Sequence, residues 1–295
     1  MEQSKKPKKT SLLRRFRHNK PALFAGIVLI IILTMILFAP IFTNFGPAKS
    51  DLANRLTGPT TEASMAVGVT QPHFLGTDQL GRDIYTRLLY GGRVSLNVGF
   101  TVATIGGVIG VVLGMLAGYF GGWTDMIIMR MVDVWASSPT LLIALTFVMI
   151  LGPGQKNLIF ALLINSWTLF CRMARSQVLI IRSSAMVESG HAIGASTNRI
   201  LYKHIMPNII SPMVTTYILE LAHFINAEAN LSFLGFGVQP PDTSWGLMIG
   251  EGRKYLTQAP WIVIFPGLMI ATTVLCLNLI GNWIRDEFDP LAVKL

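Results

Sequence analysis

Thr216, Glu220, His223 and Ala227 follow one another at spacings of 4, 3 and 4 inside an otherwise apolar stretch. Those intervals place the four on one face of a helix. A carboxyl and an imidazole so placed either pair with other groups inside a helix bundle or line a passage for a polar solute. Leaving them bare in hydrocarbon costs roughly 2.5 kcal/mol or more, so an intramembrane polar residue is a functional candidate by default. Pairing or lining is the reading for Glu220; for His223 a satisfied packing role comes first. Glu228 lies near the outer end of the same stretch. Asn278 and Asn282 form an i, i+4 pair further on, divided between helix–helix hydrogen bonding and lining.

Two further stretches carry polar groups at suggestive spacing. In "ESGHAIGASTNRILYKHIMPN", residues 188–208, Glu188 and His191 are polar, and Val187, Ala192 and Ile193 supply a modest apolar face. Ser189, Gly190, Gly194 and Ala195 present almost no side chain. A short helix over 184–196 with such a surface fits deep in a partner's groove, or it is an ordinary interfacial helix; the residues alone leave both open. Gly194 is suited to turn the chain after it. In "HFLGTDQLGRDIYTRLLYGGR", Asp78, Arg82, Asp83 and Arg87 are spaced for an ion-paired helix lying on a membrane, with a structural role ahead of substrate contact.

Bond-making chemistry finds no support. Cys171 and Cys276 both fall in apolar runs and form neither a disulfide framework nor a metal-ligand spacing. The five histidines are scattered, no phosphate-binding loop of the G-x-x-x-x-G-K-[ST] type occurs, and no nucleophile–base pattern stands out. No cofactor is expected in this chain.

The elements that position these residues are membrane spans. Of the 295 residues 52% are hydrophobic and 13% charged, against about 25% charged in soluble domains. Uncharged windows of ~20 residues are long enough to cross ~30 Å of hydrocarbon. Six spans are expected, near 22–43, 94–120, 127–151, 158–180, 208–233 and 260–283. The first run is too long for a signal peptide. Gly106, Gly110, Gly114 and Gly118 recur every fourth residue and predict a seam for close helix packing. Asn165, Thr168, Arg172 and Arg175 share one face of the fourth span. Arg199, Lys203 and His204 are expected near headgroups, and Pro207 in the first turn of the fifth span.

Eight Lys or Arg fall within residues 1–20. With that tail inside, 16 basic residues go to the inner side and 8 to the outer, five of them in 44–93. The net charge of +9 is thus read as membrane topology, not nucleic-acid binding. Both ends, and residues 182–206, are placed in the cytoplasm.

Residues 188–208 resemble the EAA loop of ABC-importer permeases, in which E-A-A-x-x-x-G is followed thirteen residues later by Pro. Glu188, Gly194 and Pro207 match, and Ser189 and Gly190 stand for the two alanines. "GTDQLGRDIYTR" is similar to the G-T-D-x-x-G-R-D-x-x-S-R segment of the dipeptide, oligopeptide and nickel permeases, C-type subunit, through Gly76, Thr77, Asp78, Gly81, Arg82 and Asp83, with Thr86 where serine is usual. "ANLSFLGFGVQPPDTSWGLMIGEGR" and "NLIGNWIRDEFDP" resemble the end of the same subunits. The resemblance implies an all-α membrane protein of six transmembrane helices with the type I ABC-importer permease fold. It divides the chain into a basic cytoplasmic tail (1–20), a first helix with an outer segment (21–93), a core permease domain (94–283) and a C-terminal tail (284–295). Residues 183–206 would hold the coupling helix, with Glu188, Ser189, Gly190, His191, Gly194 and Ala195 touching an ATPase. Implied partners are a B-type permease, two ATP-hydrolysing subunits that carry ATP and Mg, and an extracellular substrate-binding protein. The cargo would be peptide, with nickel or a metal chelate as the alternative. A gradient-driven secondary transporter would show inverted repeats, and none is visible; a non-transporting assembly subunit would need no polar face on the fifth span.

Overall fold

The computed structural model describes residues 12–59 and 73–288. The expected basic tail lies mostly outside these, in residues 1–11, as does most of the C-terminal tail. The described residues are helical apart from turns and loops. In order they form α1 (Leu12–His18), α2 (Lys20–Leu37), α3 (Ala39–Phe42), α4 (Ile84–Phe120), α5 (Gly122–Ala136), α6 (Thr140–Leu151), α7 (Gln155–Arg182), α8 (Ala185–Ala192), α9 (Thr197–Ile200), α10 (Met206–Phe233), α11 (Trp245–Gly252) and α12 (Trp261–Phe288).

Five of these stretches are long and apolar enough to cross a membrane among the described residues: α2, α4, α7, α12 and the continuous 37-residue helix Thr197–Phe233. A sixth exists if α5 and α6 count together, but they meet at a bend of 80°. The single straight span expected over 127–151 is therefore broken. The break falls at Ser137, Ser138 and Pro139, where Pro139 sits at φ −58°, ψ 126°. Its ring excludes the preceding helical turn and its nitrogen gives no hydrogen bond.

α4 starts ten residues before the expected span. Asp83 caps it, its carboxylate accepting from the Thr86 N–H at 2.7 Å. At 37 residues the helix is about 55 Å long, so it rises well beyond ~30 Å of hydrocarbon. The glycine seam behaves as its spacing predicts. A Cβ on Gly110 would stand 2.3 Å from the Trp167 carbonyl oxygen, and one on Gly114 2.3 Å from that of Cys171. α4 and α7 thus pack backbone to backbone, as small residues permit.

The fifth span also begins early, at Thr197, not near Pro207. Pro207 has no N–H to give the Lys203 carbonyl. The helix absorbs this with a wide π turn over Leu201–Ile205, in which the Met206 N–H reaches back to the Leu201 carbonyl.

Four apolar clusters hold the bundle together among the described residues, the smallest of them Val132, Trp167 and Cys171 between α5 and α7. One joins α4, α6, α7 and α10 through Val98, Val148, Phe170 and Phe224. The second joins α2, α4, α10, α11 and α12 around Trp245, whose indole N–H donates to the Leu88 carbonyl at 2.9 Å. The third, with Tyr119, Val178, Val187, Ile200 and Ile209, seats α8 against the ends of α4, α7 and α10.

Candidate functional site

α8 is eight residues long and hangs between two span helices. Its end is closed by two bonds: Ala195 N–H to the Gly190 carbonyl and Gly194 N–H to the His191 carbonyl, both 3.0 Å. That pair defines a Schellman turn, and it requires a left-handed residue at position 194. Gly194 supplies it at φ +74°. Val187 is 1% exposed and lies over Ile200. Gly190 is turned inward too: a Cβ there would lie 3.8 Å from Ile200. The outward surface is made by Glu188, Ser189, His191, Ala192, Ile193 and Gly194. The apolar face expected from Val187, Ala192 and Ile193 is therefore split. Ile193 sits one residue past the helix and swings out to 81% exposure.

On α10 the expected face is divided in the same manner. Glu220 is half-buried and His223 exposed. Thr216 is 8% exposed and donates to the Pro212 carbonyl at 2.9 Å. Ala227 packs in the core with Phe224 and Leu231. Glu228 is fully buried and accepts from Ser232 Oγ at 2.6 Å. The open polar face instead continues through Asn226 and Asn230, both exposed. Residues 223, 226 and 230 share a stripe by the 3–4 spacing of a helix; Ala227 and Glu228 turn into the chain. Asn278 on α12 is half-buried.

The segment from Gly76 to Arg87 is not a helix lying on a surface. Gly76 and Gly81 take φ +80° and +71° in a tight turn, and a Cβ on Gly81 would strike the Asp51 carbonyl at 1.7 Å. Asp78 is wholly buried. Its Oδ1 accepts the N–H groups of Leu80 and Arg82, at 2.8 and 2.9 Å. Its Oδ2 accepts from Arg82 Nε at 2.6 Å and from Arg87 Nη1. Both guanidiniums then reach Glu251 Oε2 on α11, at 2.8 and 2.9 Å. Asp83, besides capping α4, accepts from Thr86 Oγ1 at 2.7 Å and meets His73 Nδ1 at 2.8 Å. Two carboxylates and two guanidiniums thus neutralise one another out of water and tie the loop and α4 to α11. Desolvated charges persist only when paired in this way.

The fourth span's face is likewise ionic. Arg175 pairs with Asp125, its Nη2 donating to Oδ2 at 2.6 Å, and Arg172 with Asp133 at 3.2 Å. Asn165 donates to Thr140 Oγ1 at 2.8 Å.

Comparison with known proteins decides what this arrangement belongs to. Residues 110–294 match the family of binding-protein-dependent transport system inner membrane components. Residues 11–59 match the N-terminal transmembrane domain of oligopeptide transport permease C. The chain belongs to the ABC-importer permeases, C-type branch. The dipeptide transport system permease protein of Alkalihalophilus pseudofirmus is 38% identical over 94% of this chain and 88% of its own. The glutathione transport system permease protein of Escherichia coli is 38% identical, with 94% and 88% covered. The oligopeptide transport system permease protein of Bacillus subtilis is 36% identical, with 95% and 88% covered. Among solved structures, an inward-facing methionine ABC transporter overlays with a TM-score of 0.52 at 18% identity, covering 67% of this chain and 95% of that one. An amino acid ABC transporter gives 0.53 at 15%, covering 68% and 94%. These two share the fold.

The permease is thus a multi-pass inner-membrane transport subunit, not a catalytic one. The residues of its 76–83 motif meet in one buried cluster, and the residues of its 188–195 segment meet on one short helix and its turn. Its α10 residues do not all meet: Glu220 and His223 lie on the open face, Ala227 and Glu228 behind it. Sequence reading missed Asn226 and Asn230, although their spacing from His223 was there to be counted. It also missed Glu251, whose partners stand 164 and 169 residues away.

Proposed function

We propose that the permease forms half of a path that carries peptides inward, paired with a B-type permease. Two ATPase subunits holding ATP and Mg drive it, and an extracellular binding protein delivers the cargo. Both termini and α8 lie in the cytoplasm. The observation that carries this reading is α8 itself: a short helix seated on the bundle by Val187 and Gly190, turned by Gly194, and presenting Ile193 with only small or polar neighbours. A protruding apolar side chain on a rigid turn suits a groove in a partner. Closure of the ATPases on ATP pushes α8 as a rigid body, and α7 and the Thr197–Phe233 helix, which flank it, follow. The open α10 face of Glu220, His223, Asn226 and Asn230 faces the path. Peptide is favoured over nickel or a metal chelate because the relatives above are named for dipeptide, glutathione and oligopeptide transport.

The test is ATP-dependent uptake of radiolabelled peptide into vesicles holding all the subunits. Ile193→Asp should leave the bundle intact, since the side chain is 81% exposed, and should cut uptake at least tenfold with loss of ATPase co-purification. Uptake at the wild-type level with Ile193→Asp sinks the docking role. A cysteine at position 191 that crosslinks to no ATPase does the same.

A further inference from the structure

A cavity of about 480 Å³ opens between α7, α10 and α12, at the end of the bundle that carries α8. Its size falls within the ~300–1,000 Å³ of small-molecule sites. Gln177, Asn208, Ser211, Thr215 and Arg285 supply polar groups to its wall, and Phe288 closes one side. No carboxylate lines it among the described residues.

Two of these groups lack hydrogen-bond or ion-pair partners among the described residues. Ser211 Oγ is buried and makes no hydrogen bond. It stands beside Pro212, inside α10, where the missing N–H also leaves the Asn208 carbonyl without its helical donor. Arg285 is exposed in the last turn of α12, and among the described residues it forms no ion pair. Arg175 pairs with Asp125, Arg172 with Asp133 and Arg15 with Glu287. The Arg285 guanidinium and the Gln177 amide at one cavity form a donor set that an anion satisfies.

We propose that this cavity is an exit-side subsite for the C-terminal carboxylate of the transported peptide. The Arg285 guanidinium takes the carboxylate through two parallel N–H···O bonds, and Gln177 donates to the oxygen or amide behind it. Met173, Leu219 and Phe288 give the last side chain an apolar wall. The idea rests on the peptide-importer reading and adds where a peptide is held on its way out.

The test uses the complete importer in phosphatidylcholine nanodiscs, without binding protein or ATP, and trialanine as probe. Saturation-transfer NMR should show trialanine binding that weakens roughly tenfold for trialanine amide and roughly tenfold for Arg285→Gln, with Arg285→Lys between. Gln177→Leu, which removes one donor without touching the charge, should weaken it about threefold. Equal binding of the acid and the amide, or of wild type and Arg285→Gln, overturns the subsite. So does an Arg285 dependence that appears for spin-labelled phosphatidylglycerol and not for trialanine, because the ligand is then a lipid headgroup. Recovery of each complex by gel filtration separates lost binding from lost assembly. Uptake of alanine peptides by the wild-type importer with its binding protein is the separate control: no uptake sinks the peptide-importer reading, whereas normal uptake with amide-tolerant binding sinks only the subsite.

Discussion

The seam between α4 and α7 can be tested by one methyl group. In Gly110→Ala the new Cβ would lie 2.3 Å from the Trp167 carbonyl oxygen, 2.6 Å from Phe170 Cβ and 2.9 Å from the Cys171 nitrogen. The first contact is 0.7 Å inside the 3.0 Å that real Cβ atoms hardly ever undercut. Two of the three atoms are backbone and cannot rotate away, so the helices must part. A gap of that size forfeits a quarter to a half of each dispersion contact, so about 30 pairs at ~0.15 kcal/mol lose roughly 1.5 kcal/mol. Residual strain brings the cost to about 2 kcal/mol, within the usual range for overpacking. Gly267→Ala on α12 is the control, because its Cβ would meet nothing within 4 Å. There the better helix former gains up to ~1 kcal/mol. Gly110→Ala carries the same propensity gain, so that contribution cancels and the two variants should differ by about 2 kcal/mol. At ~2–4 °C per kcal/mol for soluble domains of comparable size, that is roughly 4 °C or more in the thermal midpoint. Thermal unfolding of the detergent-solubilised chain, followed by tryptophan fluorescence, reads this directly. Equal midpoints for Gly110→Ala and Gly267→Ala would refute the close packing.

Other expectations follow from the same contacts. Asp78→Asn leaves the Arg82 and Arg87 guanidiniums sharing Glu251 alone and should cost about 3–5 kcal/mol, seen as a collapse in folded yield and midpoint. Gly190→Ala adds a methyl at ordinary distance from Ile200 and raises helix propensity, so it should stabilise α8 by about 0.5–1 kcal/mol and slow its amide hydrogen exchange. Pro207→Ala restores the donor that the Lys203 carbonyl lacks. Reversion of the π turn to α-helix would rotate α9 against α10 by about 100°, which should uncouple uptake from ATP hydrolysis while the chain still folds. The double change His223→Leu, Asn226→Leu on the exposed α10 face should depress peptide uptake without lowering the thermal midpoint; a lowered midpoint with intact uptake would make those residues packing groups.

Much of the molecule was fixed by local pattern. The length of the uncharged runs decided that the chain spans a membrane, because hydrocarbon thickness and helix rise are constants that any sequence can be measured against. The four-residue glycine repeat announced the α4–α7 seam, because the helical period alone puts those residues in one row. Gly194, and the helix it ends, were likewise visible, since a left-handed turn after a short helix depends on nearest neighbours. What stayed hidden depended on distant partners. The charges of 78–87 look like those of a surface helix until Glu251 is brought beside them, and only the packing of α11 on α4 does that. Periodicity named a face of α10 but not which way it turns: Ala227 and Glu228 are inside because α4, α7 and the start of α11 cover that side, and Asn226 and Asn230 are outside because none of the described residues does. The broken third span and the outward swing of Ile193 came from single backbone angles at Pro139 and Gly194, whose consequences for direction are felt only once the neighbouring helices are in place.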